Sequence, residues 1–312
     1  MSFLLHPEAQ PIIDAFFANG GKSFEKVGEI AALRTIYENN CSLAVMHGLS
    51  HIQTFDISDD FKGEPVKLRI YDQQINREEL RPTVLFIHGG GWVMGNLNSH
   101  DSICRKFAEI AAVRVIAIDY RLAPEVKFPI PLEDCQRALQ YIIGHSEQLS
   151  VDPTRMVIVG DSAGGNLAGH LGQNFFQRYG HALKAQVLLY PVIGYLPESA
   201  SYQIYQTGFP LVASTMHWFF AQLFNSSQQH AQISLLEQPF IANNGDILLL
   251  TLEHDPLRDE ALLYLDKAIK NGLSVEYHHL KGLMHGIFAI AGKLPVAEQY
   301  LELIGKYIAK RI

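Results

Sequence analysis

Apolar positions along the chain alternate between two periods. The continuous apolar run at 82–87 has the length of a strand buried on both faces, and further strand-like segments lie at 113–119, 156–160, 184–189, 247–252 and 273–280. Between them lie segments with helical spacing at 102–111, 132–144 and 257–271. A fourth follows position 162, where Ala163, Leu167, Leu171 and Phe175 recur every fourth residue beside Ala168. A last helix carries Val296, Tyr300, Leu303, Ile304, Tyr307 and Ile308 on one face. Strand and helix in strict alternation predict an α/β fold with a mostly parallel central sheet flanked by helices. Ahead of this core, two short strand-like runs at 51–57 and 66–71 predict a hairpin, and residues 1–50 are helical and partly apolar through Ile12, Ile13, Phe16, Phe17, Ile30, Ala31, Leu33 and Ile36.

One stretch breaks the rhythm. Residues 191–240 contain Tyr195, Tyr202, Tyr205, Phe209, Trp218, Phe219, Phe220 and Phe224 but no strand pattern. An insertion this long in an α/β fold serves as a lid or binding element, its aromatics walling a pocket. The alternative is extra helices that enlarge the core or join copies in a homo-oligomer.

Chemistry concentrates where strands end. Gly160-Asp161-Ser162-Ala163-Gly164-Gly165 follows a buried strand and opens a helix, so Ser162 sits at a helix N-terminus on a tight turn. A serine hydroxyl becomes a nucleophile when it is held exposed and given a base, and glycines on both flanks permit that exposure. After the strand at 82–87 comes His88-Gly89-Gly90-Gly91-Trp92, where bare backbone N–H groups can approach a developing oxyanion. A phosphate loop would need Gly-Lys-Ser/Thr or Gly-x-Gly-x-x-Gly, and neither is present.

The serine needs a base and the base an orienter. Asp255, past the strand at 247–252, and His285, in the loop after the next strand, emerge at the same sheet edge as Ser162, and the order Ser, Asp, His is that of α/β-hydrolases. Asp259 and Asp266 fall inside a helix, facing solvent or pairing with Arg258 and Lys267, and Asp246 precedes its strand. His254, His278 and His279 are read as structural. The polar segment 119–125 is expected to support the site from below through turns and buried ion pairs.

Composition narrows the setting. The chain has 312 residues, 48% hydrophobic and 18% charged, with a net charge of −7. Lys306, Lys310 and Arg311 form the solvated side of the last helix rather than a nucleic-acid patch. Three cysteines fit neither a disulfide framework nor a metal site. Cys104 shares a helical face with Phe107, Ala108 and Ala111, and Cys135 with Leu132, Ala138, Leu139 and Ile142. Free thiols suit a reducing cytoplasm. The Phe3-Leu4-Leu5 run is too short for a signal peptide, and no segment has transmembrane length.

Taken together, His88-Gly89-Gly90-Gly91, Tyr120-Arg121-Leu122-Ala123-Pro124-Glu125, Gly160 to Gly165, Asp255-Pro256-Leu257-Arg258-Asp259-Glu260 and His285-Gly286 resemble the hormone-sensitive-lipase-like branch of α/β-hydrolase esterases, with bacterial acetyl esterases nearest in layout. The resemblance spans 82–286 and leaves 1–50 and 195–240 poorly matched. It implies the α/β-hydrolase fold, a triad of Ser162, Asp255 and His285, and an oxyanion hole from the amides of Gly90, Gly91 and Ala163. It also implies a helical cap, formed by residues 1–50 and a 191–240 insertion after the sixth strand, over a catalytic core at 51–190 and 241–312. The expected activity is hydrolysis of small, short-chain acyl esters through an acyl-enzyme, with no cofactor or metal, no nucleic-acid partner and a cytoplasmic location. An amidase or peptidase using the same triad, or a binding protein that has lost turnover, is the alternative.

Overall fold

The computed structural model describes residues 4–59, 63–74, 79–241 and 244–312. Phe3 of the N-terminal apolar run, and residues 242–243 at the boundary drawn between insertion and core, lie outside these.

The strands are β1 (Gln53–Ser58), β2 (Lys67–Asp72), β3 (Arg81–Ile87), β4 (Arg114–Asp119), β5 (Val151–Asp161), β6 (Ala185–Leu189), β7 (Asp246–His254) and β8 (Val275–Met284). They form one sheet in the order β1-β2-β4-β3-β5-β6-β7-β8, antiparallel at β1/β2 and β2/β4 and parallel elsewhere. The expected hairpin is present as β1 and β2. Ten α-helices accompany the described strands: α1 (Gln10–Ala18), α2 (Ile30–Ser42), α3 (Asp101–Ala111), α4 (Ile130–Gly144), α5 (Ala163–Gln173), α6 (Phe175–Tyr179), α7 (Ala200–Ile204), α8 (Ala213–Leu223), α9 (Arg258–Lys270) and α10 (Pro295–Ala309).

Side-chain alternation along the strands builds two cores. Leu85, Ile116 and Ile158 point to the face covered by α4, α5 and α9, where Leu139, Leu167 and Tyr264 meet them. Val84, Phe86, Val115 and Val157 point to the other face, against Phe107 of α3 and Leu301 and Ile304 of α10. Each such aliphatic side chain contributes about 1.5–3 kcal/mol by leaving water. Burial on both faces is why these strands read as continuous apolar runs.

Several boundaries differ from the pattern's expectation. β5 begins at Val151, ahead of its apolar run, because Val151 already pairs with Arg81. β8 continues to Met284, which pairs with His254, so Gly282 to Met284 are strand and His285 is the first residue beyond. The helix after Ser162 ends at Gln173, and Phe175 belongs to α6. The buried face of α10 runs through Ala297, Leu301, Ile304 and Ile308, leaving Val296, Tyr300 and Leu303 only partly covered at its flank.

Candidate active site

β5 ends at Asp161 and α5 starts at Ala163, leaving Ser162 alone in the turn with φ 55° and ψ −119°. A non-glycine residue in such a conformation costs about 1–3 kcal/mol and persists only where the surroundings over-determine it. They do so here. The Ser162 N–H donates to the Leu189 carbonyl at 2.9 Å, and the Ser162 carbonyl accepts from Asn166 and Val192, each at 3.1 Å. The flanking glycines are dictated by contact: a Cβ on Gly160 would lie 2.2 Å from the Gly164 carbonyl oxygen, and one on Gly164 would lie 2.1 Å from that of Ile87.

Strand ends bring the partners. His285, just past β8, places Nε2 2.8 Å from Ser162 Oγ across 123 residues of sequence, and its Nδ1 lies 2.7 Å from Asp255 Oδ2. A carboxylate can only accept, so Nδ1 carries the hydrogen and the Nε2 lone pair faces the serine hydroxyl. Asp255, 1% exposed, is fixed in turn by the Leu257 N–H on its Oδ1 at 2.9 Å. Tyr190 packs its ring 4.7 Å from the imidazole and stacks on Phe288.

The rejected candidates have other duties. Asp259 pairs with Arg258 at 2.9 Å and accepts the Ser201 N–H. Asp266 pairs with Lys270 rather than with Lys267, whose ammonium reaches the Leu236 carbonyl. Asp246 is itself the first residue of β7, at the end away from Asp255, and pairs with Arg311. His254 bonds the Leu4 carbonyl, His278 meets Glu276 and His279 meets Thr251.

The glycine loop after β3 holds three successive residues at positive φ: Gly90 at 116°, Gly91 at 61° and Trp92 at 60°. Its fastenings were mostly invisible in the sequence. Asp161, next to the serine, accepts the Gly89 N–H at 2.8 Å and sits 3.3 Å from His100 Nε2. Burial opposes ionisation of Asp161, but His100 and the Gly89 amide outweigh it and hold its pKa below the ordinary carboxylate value. Tyr120 donates its hydroxyl to the His88 carbonyl at 2.9 Å and stacks on the His88 ring. Burial, aided by nearby His100, pushes the His88 imidazole down to about 3, so it is neutral near pH 7. The 119–125 segment supports the site through the Tyr120 hydroxyl and through the Ala123 N–H, which donates to the Trp92 carbonyl at 2.8 Å. Its ion pairs are less buried than expected: Glu125 is largely exposed where it meets Arg34, although Arg121 reaches the buried Asp134.

Behind the serine, Glu260 of α9 is wholly buried, and burial raises its pKa well above the carboxylate range. It accepts the Ile193 N–H at 2.8 Å, anchoring the segment that leaves β6.

Above the glycine loop lies α8. A Cβ on Gly91 would come within 2.5 Å of the Phe219 ring, and Phe220 meets Trp92 edge-on. The N-terminal segment joins from the other side, with Phe24 against Phe219. Glu25 accepts hydroxyl hydrogens from Ser214 at 2.7 Å and Thr215 at 2.6 Å, both on α8. Among the described residues, no cluster of His, Cys, Asp or Glu is arranged to hold a metal ion, and no helix is long and apolar enough to cross a membrane.

Residues 84–289 match the family model for the alpha/beta hydrolase fold. The chain is 34% identical over 246 residues to the ethyl acetate hydrolase of Pseudomonas putida, covering 78% of this chain and 77% of that protein. It is 31% identical over 246 residues to the carboxylesterase NlhH of Mycobacterium tuberculosis, covering 75% of each. The solved structure of an ester hydrolase from the metagenome of Lake Arreo superposes with a TM-score of 0.89 at 28% identity, over 98% of both chains. The sheet order, the strand-end site and these likenesses agree, and the chain belongs to the α/β-hydrolase-fold family, in its hormone-sensitive-lipase-like branch of carboxylesterases.

Proposed function

We propose that this esterase hydrolyses small, short-chain carboxylic esters with Ser162 as nucleophile, His285 as general base and acid, and Asp255 as the orienter of His285. The observation that carries this reading is the continuous line from Ser162 Oγ to His285 Nε2 at 2.8 Å and from His285 Nδ1 to Asp255 at 2.7 Å. In the first half-reaction His285 takes the serine proton as Oγ attacks the ester carbonyl, and Asp255 stabilises the resulting imidazolium. The amides of Gly90, Gly91 and Ala163 receive the oxyanion, each contributing about 3 kcal/mol to the transition state. His285 then protonates the departing alcohol. Water, activated by the same imidazole, releases the acid.

The short-chain preference is supported by the tight seating of Phe219 on Gly91 and by the relative named as an ethyl acetate hydrolase. Residues 1–50 and 191–240 act as the cap over a core of 51–190 and 241–312. Free, buried Cys41, Cys104 and Cys135 support a cytoplasmic location.

Hydrolysis of p-nitrophenyl esters from acetate to laurate, with native protein and Ser162→Ala in parallel, tests the reading. Turnover that falls with acyl length and vanishes in the variant is expected. Equal turnover in the variant, or a preference for a matched anilide over the ester, would overturn it.

A further inference from the structure

The glycine loop carries three successive positive-φ residues, and the peptide that follows them is clasped from an unexpected quarter. Arg34, in the middle of α2, donates Nε–H to the Val93 carbonyl at 2.7 Å and Nη2–H to the Ala123 carbonyl at 2.9 Å. Ala123 in turn donates its N–H to the Trp92 carbonyl at 2.8 Å. One guanidinium thus bridges the strained loop and the loop after β4 across their point of contact. Its remaining donors reach Glu125, through Nη1 to Oε1 at 2.8 Å and Nη2 to Oε2 at 2.7 Å, which fixes the plane of the fork.

One turn further along the same face of α2, Glu38 accepts from Asn96 Nδ2 and Asn98 Nδ2, both at 2.8 Å. The helix therefore grips the loop at two places, just after Trp92 and again at 96–98. Residues 1–50 read from sequence as a cap, which would shape the substrate's surroundings. Through Arg34 and Glu38, α2 also holds the loop that follows the Gly90 and Gly91 amides.

We infer that Arg34 is a positioning residue for the reaction: it holds the glycine loop in the conformation that aims the Gly90 and Gly91 amides at the oxyanion, so that the N-terminal segment tunes the chemical step as well as covering the site. This rests on the serine-esterase reading of that site. Trp92, a non-glycine residue at φ 60°, relaxes unless its neighbours are fastened, and a donor displaced by a fraction of an ångström no longer meets the oxyanion. Lysine cannot replace the fork, since one ammonium does not span two carbonyls and a carboxylate in a plane.

The experiment compares native protein with Arg34→Met, Arg34→Lys and Arg34→Ala. Titration with a p-nitrophenyl phosphonate counts competent serines, so that kcat is expressed per working site and loss of folded protein is removed from the comparison. In Arg34→Met, kcat for p-nitrophenyl acetate is expected to fall about 10- to 100-fold with KM within about threefold, the pattern of a misplaced transition-state contact. Arg34→Lys should recover little of this. Arg34 lines a solvent-open cleft of about 470 Å³, so millimolar guanidinium should restore part of the kcat of Arg34→Ala and leave native protein unchanged.

Hydrogen exchange of the 88–96 backbone gives a readout that does not require turnover: it should be at least about tenfold faster in Arg34→Met, while the amides of β5 and β6 stay as in native protein. Unchanged loop exchange, or an unchanged kcat per titrated site, would overturn the role of Arg34. Native protein that exchanges as described but hydrolyses no ester would instead overturn the esterase reading.

Discussion

The floor of the site and its proposed cover are built by different means. On the floor, Ser162, Asp255 and His285 stand at the ends of β5, β7 and β8, and their convergence follows from parallel strands that finish at one edge. Close backbone approaches, which only glycine at 160 and 164 permits, complete the arrangement. In the cover, α2 and α8 are held by side chains reaching across long sequence separations: Arg34 to the Val93 carbonyl over 59 residues, and Glu25 to Ser214 over 189. The floor is fixed by backbone topology, which is costly to alter and resembles that of many esterases. The cover is fixed by a few hydrogen bonds and rings, so it can change one side chain at a time. On the proposed reading, reaction type belongs to the first region and substrate preference to the second, with Arg34 as the point where the second acts on the first.

Removing floor chemistry while leaving the fold has the largest expected effect. His285→Gln should lower kcat roughly 10⁴- to 10⁶-fold with little change in thermal midpoint, measured on p-nitrophenyl acetate. A loss below about tenfold would mean that the imidazole is not the base.

Gly91→Ala probes the point where the two regions touch. The added Cβ meets the Phe219 ring within 2.5 Å, so an amide expected to bind the oxyanion must shift. A fall in kcat of about 10²- to 10³-fold is expected. The double variant with Phe219→Ala should regain at least about tenfold of it, because the methyl then has room. If the double variant is no better than Gly91→Ala alone, the ring is not what confines the loop. Phe219→Ala alone should shift preference from acetate toward butyrate and hexanoate esters.

Two buried histidines set an acid limit. His88 in the glycine loop is lowered by burial from 6.5 to about 3, and His170 of α5, which bonds the Ile233 carbonyl next to the cover, from 6.5 to about 4. Each folded-state pKa lies below the unfolded one, so the unfolded chain binds more protons in the window between them. Stability is then full above about pH 7 and falls as pH drops through 6.5, by about 2 kcal/mol per histidine at pH 5. Urea denaturation at pH 7.5, 6 and 5 measures this. His170→Asn should remove only its own share of the slope, and a native slope of zero would contradict the assignment.

Glu25→Gln is the mildest change. The two hydroxyls bond different carboxylate oxygens, so the amide keeps an acceptor for only one of them, turns a donor toward the other and removes the charge that strengthens both bonds, and about 1 kcal/mol of stability should go. Its kinetic trace should fall on KM rather than kcat if the bonds only seat α8, and a kcat effect as large as that of Arg34→Met would erase the distinction between the two struts.

The same contrast explains what could be read in advance. Gly160, Ser162 and Gly164 were legible because a strand, a forced turn and a helix leave a local pattern, and Asp255 and His285 because strand ends do. Ser162, Asp255 and His285 meet in the structure as the sequence anticipated. Asp161, His100 and Arg34 are not legible as fastenings of the glycine loop, and Tyr120 only as part of a supporting segment, because each acts on a group far away in sequence. Nothing local marks such a contact. Strand limits failed for a related reason: β5 starts early at Val151 because Arg81 pairs with it, and β8 runs on through Gly282 to the pairing of Met284 with His254. On α10, Ile304, Tyr307 and Ile308 are buried as their period predicts, while Val296, Tyr300 and Leu303 lie at the flank, since period alone does not say which side α3 covers.

The proposed mechanism has Ser162 form an acyl-enzyme with the help of His285. Rapid mixing of native protein with p-nitrophenyl acetate, quenched early and followed by mass analysis of its peptides, tests it most directly. The account predicts a rapid burst of p-nitrophenol approaching one per chain, and one acetyl group on the peptide bearing Ser162, with neither in Ser162→Ala. A peptide that carries no acetyl group while turnover continues, or an acetyl group on another residue that turns over at the same rate in Ser162→Ala, would contradict it.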